Sequence, residues 1–150
     1  MPKPRSTIQF HAADVDIPVQ ERRKLKEFIK KQFKESANPL NSLDYIFCSD
    51  KYLLDINIRF LQHDTLTDII TFPLQAKGEP VTGEVYISVD RVQDNAKDLG
   101  VPLQKELLRV VFHGALHLLG YKDKTKSQST EMRRLEEDWL EQFKLFHVER

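Results

Sequence analysis

The sequence predicts an α+β fold: a small, mixed sheet of roughly four strands with helices packed on it and one largely apolar helix at its centre. Three observations carry this expectation. Short runs rich in β-branched and aromatic residues, near residues 7–10, 43–48, 67–73 and 83–89, alternate with longer amphipathic segments. The segment 102–118 is apolar on most of its surface, as a helix buried among other elements must be. The chain has 150 residues, 40% of them hydrophobic and 31% charged, so residues 1–150 are expected to form one domain with a real core.

Taken in order, residues 7–10 alternate weakly and read as a short strand. Residues 20–36 follow as a helix with Leu25, Phe28, Ile29 and Phe33 on one face. Its other face is basic: Arg22, Arg23, Lys24, Lys26, Lys30, Lys31 and Lys34. That face is either a solvated surface or a contact for phosphates. Ala37-Asn38-Pro39 ends the helix, and residues 43–48 form the next strand. Ser49-Asp50 supplies an N-cap for a helix over 51–60. A loop over 61–66 leads into a strand over 67–73, stopped by Pro73, which has no N–H to give a ladder. Gly78 and Pro80 mark 75–82 as a surface loop before the strand 83–89. Asp90 is placed to cap the next helix, with Gln93 at the capping-box position and Gly100 as its end. Pro102 begins the apolar helix at a first-turn position, where its missing N–H costs nothing. A polar loop over 122–129 precedes a last helix over 128–146, whose stripe is Met132, Leu135, Trp139, Phe143 and Phe146. His147 in the tail reads as a surface histidine.

Composition narrows the function. The formal net charge is zero, so any nucleic-acid binding must come from a local patch. The single cysteine, Cys48, cannot close an intramolecular disulfide and reads as a buried thiol, consistent with a cytosolic setting. No apolar run follows Met1-Pro2-Lys3-Pro4-Arg5, so no signal peptide is expected, and no stretch has the ~18 apolar residues of a membrane span.

The chemistry concentrates in His113-Gly114-Ala115-Leu116-His117-Leu118-Leu119-Gly120-Tyr121-Lys122-Asp123. Histidines four apart on a helix leave the same face, separated by about 6 Å of axial rise. Gly120 and Tyr121 end the helix, and Asp123 on the following turn can swing back toward the pair. Two neutral imidazoles and one carboxylate can hold zinc at three positions and leave a fourth for water or substrate, the mark of a catalytic site. A histidine pair at this spacing can also be plain polar surface. Here Glu106, Arg109, His113 and His117 form one polar stripe on an otherwise apolar helix, which points to a lined cleft.

This stretch resembles the YbeY family of metal-dependent endoribonucleases, which carry His-Gly-x-Leu-His-Leu-x-Gly-Tyr-Asp-His with three histidines as zinc ligands. The first nine positions match as His113 to Tyr121. Lys122-Asp123 stands where the family usually has Asp-His, so the third ligand position is held by Asp123. Thr67-Asp68-Ile69-Ile70-Thr71-Phe72-Pro73 resembles the family's Thr-Asp/Asn-Val-Leu-Ser-Phe-Pro, and Gly83-Glu84-Val85-Tyr86-Ile87 its Gly-Asp/Glu-Ile-x-Ile. A second departure lies upstream, where the family's arginine falls on Leu61, with Arg59 two residues earlier as a substitute. The resemblance also carries part of the α+β expectation, with the metal-binding helix central, and it implies a zinc-dependent, single-strand-specific endoribonuclease of ribosomal RNA maturation (16S 3′-end processing) and ribosome quality control. Its setting would be the cytoplasm, beside ribosomes and ribosomal proteins.

The residues bear on that implication. Zinc proteases use His-Glu-x-x-His with the glutamate as general base, and Gly114 stands where that glutamate would be. Phosphodiester cleavage asks for positive groups near the metal, and the candidates are Arg59 and Arg109, then Lys122 and Lys124. Arg109 could equally pair with Glu106. The expected metal ligands are His113, His117 and Asp123, with His63 in reserve and other divalent ions admissible beside zinc. Two rival functions remain at this stage: a metalloprotease-like hydrolase, and a non-catalytic, metal-stabilised ribosome assembly factor.

Overall fold

The computed structural model describes residues 5–148. Residues 1–4, on which part of the signal-peptide expectation rests, lie outside them. The elements run β1 (Thr7–Ala12), α1 (Arg22–Glu35), β2 (Leu40–Cys48), α2 (Asp50–Leu61), β3 (Ile69–Pro73), β4 (Val81–Ser88), α3 (Val89–Leu99), α4 (Leu103–Leu118) and α5 (Lys126–Leu145). The four strands form one sheet in the order β1-β2-β4-β3. The first three are parallel, and β3 joins the edge antiparallel to β4, so the sheet is mixed as expected.

The strands read as they do because their faces differ in burial. β2 buries Leu43, Tyr45 and Phe47 completely, and β4 does the same with Val85 and Ile87 at alternate positions. Those side chains meet α4, which packs against α3, α5, β3 and β4 and is the central helix. Tyr45 ties sheet to helix directly, its hydroxyl donating to the Val111 carbonyl at 2.9 Å. Phe28 of α1, Phe112 of α4, and Trp139 and Phe143 of α5 close the core with tilted and edge-to-face ring contacts. Met132 is buried in this core.

Two glycines bring α4 onto the sheet. A Cβ at Gly114 would stand 2.8 Å from Val85 Cγ1 and 3.2 Å from Ile69 Cδ1, and one at Gly83 would stand 2.8 Å from both methyls of Leu118. Gly114 therefore clears the way for the sheet's own side chains.

Several boundaries differ from the sequence expectation. The cap before α3 is Ser88, whose hydroxyl accepts from Arg91 N, while Asp90 turns to accept from Asp50 N at 2.9 Å. β4 runs straight into α3, so the last strand residue is already in capping position. α5 starts two residues early because Thr125 and Gln128 form a complete capping box. β2 and β4 both begin earlier, at Leu40 and Val81, which lie opposite each other in the ladder. Cys48 is buried as expected, and burial together with Asp14, Asp90 and Asp50 pushes its thiol up to about 12. No helix among the described residues is long and apolar enough to cross a membrane.

Candidate metal centre

The last turns of α4 present the two histidines on one face, with ring centroids 4.5 Å apart and planes at 82°. Gly120 then takes a φ of 105°, a conformation glycine adopts without penalty. The chain turns back, so that the Tyr121 carbonyl accepts from His117 Nδ1 at 2.9 Å. Two residues later Asp123 faces the pair, with Oδ2 3.2 Å from His113 Nε2 and 3.4 Å from His117 Nε2. One donor atom from each of the three lies within 4.8 Å of the others.

His113 is held from behind. Its Nδ1 meets Glu136 Oε2 at 2.5 Å, and Glu136, on α5, is 2% exposed. Arg109 donates from Nη1 to Glu136 Oε1 at 2.8 Å and clasps Glu106 with Nε and Nη2. Burial alone would raise the Glu136 carboxyl, but the His113 and Arg109 hydrogen bonds outweigh it and hold it below the ordinary glutamate range. Glu136 is thus a carboxylate and an acceptor. A carbonyl accepts as well, so both Nδ1 atoms donate, and in the neutral tautomer both Nε2 atoms present a lone pair.

The chemistry of this donor set fits a cation. In that tautomer two imidazole lone pairs and a carboxylate oxygen converge, and an ion among them would be met by all three. A divalent ion with nitrogen and oxygen ligands suits such a set, and the partners on Nδ1 are the usual supports of metal-binding histidines.

The three residues line a cleft of about 620 Å³ between α4 and β3. Ile69, Ile70, Thr71 and Pro73 of β3 line it, whereas Phe72 and Leu74 line a separate groove. A pair of residues here escaped the sequence reading. Asp68, half-buried at the start of β3, lines the cleft, and burial raises its carboxyl against the opposing pull of Arg109 and His113. Glu136 sits on a helix face that spacing marks only as core, and no local signal singles it out. Asp68 lies inside residues 67–73, a stretch whose pattern marks a strand and gives the carboxylate no role.

The remaining candidates fall elsewhere. Arg109 has 14% of its side chain exposed and spends its guanidinium on two glutamates. Arg59 is 70% exposed, pairs with Asp55 at 3.3 Å, and borders the other groove. Lys122 and Lys124 are exposed on either side of Asp123. Leu61 lines the cleft, as does His63, which stands outside the three-residue donor group. His147 is exposed.

Comparison with known proteins decides the family. The family model described as Endoribonuclease YbeY matches residues 7–144. The chain belongs to the YbeY family. Among its relatives, Endoribonuclease YbeY of Flavobacterium psychrophilum is 41% identical over 135 residues, covering 90% of this chain and 94% of the relative. Endoribonuclease YbeY of Flavobacterium johnsoniae is 50% identical over 107 residues, covering 71% and 74%. The solution structure of TM1509 from Thermotoga maritima superposes with a TM-score of 0.65 at 28% identity, covering 91% of this chain and 89% of that one. The YbeY fold and the His-His-Asp cluster thus occur together in this chain.

Proposed function

We propose that this chain, acting as a single domain, is a zinc-dependent endoribonuclease that cleaves single-stranded RNA. Its place would be ribosomal RNA maturation, at the 16S 3′ end, and ribosome quality control in the cytoplasm, beside ribosomes and their proteins. One observation carries the reading: three lone-pair donors, His113 Nε2, His117 Nε2 and an Asp123 oxygen, converge at the wall of an open cleft. Membership of an endoribonuclease family supplies the reaction class.

When bound, the ion would acidify a water and polarise a phosphoryl oxygen. The chain's own residues do the rest. His113 and His117 hold their protons at Nδ1, away from the site, through Glu136 and Tyr121. Asp68, with its raised proton affinity inside the cleft, is the group placed to accept a proton there. Arg109 acts as a positioning residue that fixes Glu136 and, through it, the His113 ring. Arg59 is left to meet RNA outside the cleft. The carboxylate of Asp123 leaves a divalent ion with one net positive charge, which shifts preference toward harder ions such as manganese relative to three histidines. The protease reading loses its remaining support, because a side chain at 114 would point into Val85 and Ile69 rather than at a substrate.

The test is elemental analysis of wild type, His113→Ala and Asp123→Ala, with chelator-sensitive cleavage of single-stranded and duplex ribosomal RNA fragments. One ion per wild-type chain, its loss in both variants and selective cutting of the single strand are expected. Full metal occupancy without cleavage would favour the assembly-factor role. Unchanged metal in Asp123→Ala would remove that residue from the ligand set.

A further inference from the structure

The lining of the cleft contains Asp68 and Asp123 but no lysine or arginine, so apart from a bound ion its side chains offer the proposed polyanionic substrate few donors. Two of its three histidines belong to the metal-donor group, with Nδ1 on Glu136 or Tyr121 and Nε2 turned to the same side as Asp123. His63 is the third. Its ring makes no hydrogen bond among the described residues, it is exposed, and it lines the same cleft.

The loop that carries His63 is built to hold it there. Gln62 ends α2 in the left-handed conformation, at φ 56°, and so turns the chain off the helix axis. The His63 backbone N–H then donates to the Asn57 carbonyl at 3.2 Å. Two residues on, the Thr65 carbonyl accepts from Asn57 Nδ2 at 2.9 Å. Asn57 is 5% exposed, a buried polar side chain whose amide pins the loop. The backbone on both sides of His63 is thus held by one residue of α2, which keeps this stretch of loop at the cleft.

We propose that His63 is the residue that meets the scissile phosphodiester, donating a hydrogen bond from its ring to a non-bridging phosphoryl oxygen. This rests on the endoribonuclease reading. The titratable groups that line the cleft with it are Asp68 of the β3 approach and His113, His117 and Asp123 of the metal centre, and Asp64 follows it in the loop.

The experiment compares metal-loaded wild type with His63→Ala, His63→Gln and His63→Arg. It reads metal content, melting temperature and kcat/KM on a single-stranded RNA, with binding of the phosphorothioate-substituted counterpart across salt. His63→Ala and His63→Gln should lose about 10²-fold in kcat/KM, and His63→Arg should stay within about tenfold of wild type. Metal content and melting temperature should hold in all three, because the side chain is exposed. The salt slope of binding should be steeper for His63→Arg than for His63→Ala by about 0.7. Wild-type-like turnover in His63→Ala overturns the proposal, as does loss of metal, which would make His63 a ligand. If wild type itself fails to cleave, the nuclease reading falls. The salt slope then still decides: a difference of about 0.7 upholds the phosphate contact, and equal slopes reject it.

Discussion

Glu136→Gln separates the shape of the metal centre from its electrostatics. The substitution keeps volume and one acceptor oxygen. Glu136 uses both oxygens, Oε2 toward His113 Nδ1 at 2.5 Å and Oε1 toward Arg109 Nη1 at 2.8 Å. A glutamine accepts from one of these and turns its NH₂ on the other, so a donor faces a donor. Glu106 still holds Arg109, so the loss amounts to one charge-assisted hydrogen bond in a buried setting, about 1.5–3 kcal/mol. For a chain of this length that lowers the melting temperature by roughly 3–12 °C. The His113 ring loses its fixed orientation and some basicity, which should weaken metal binding about 10–100-fold. Competition titration with a chromophoric chelator reads the affinity, and calorimetry of the metal-free protein reads the stability. Exposed Glu137 provides the control as Glu137→Gln, with neither quantity changed. Affinity within about twofold of wild type together with an unshifted melting temperature would refute the reasoning.

Other residues test other links. Gly114→Ala gains helix propensity of up to about 1 kcal/mol but forces a methyl to 2.8 Å from the stiff, fully buried Val85. A net loss of about 1 kcal/mol in urea unfolding is expected, and a stabilised variant would show that α4 can lift off the sheet freely. Asp50 offers a pH readout away from the metal. Its carboxyl is held low first by the hydrogen bond from Arg91 and also by Ser88, against a burial effect that raises it. Because its folded value lies below the ordinary 3.8, its contribution is full above that pH and vanishes as the pH falls through the lowered value. Asp50→Asn should cost about 1 kcal/mol at pH 7, since the pair is partly solvated, and the gap to wild type should close under acid. A gap that persists in acid would count against the ion pair as its source.

The sequence by itself determined the helix that carries the site. The 3.6-residue period places His113 and His117 on one face, and Gly120 announces the turn that brings Asp123 round. The period-two burial of β2 and β4 was legible for the same local reason. What only the tertiary structure decided is which distant groups stand behind and across from that helix. Glu136 lies 23 residues from His113, on a stripe whose spacing spells core, and its carboxylate reaches the ring only because α5 packs against α4 at that level. In the sequence Arg109 reads as a cation for the substrate or as a partner of Glu106, and only the fold brings Glu136 to it as well. Asp68 and His63 enter the cleft from the two ends of the β3 approach, and Leu61 enters beside them. Local periodicity reports which face of an element a side chain leaves from. It carries no information about what the fold sets opposite that face, because this depends on strand order and helix packing between residues far apart in the chain.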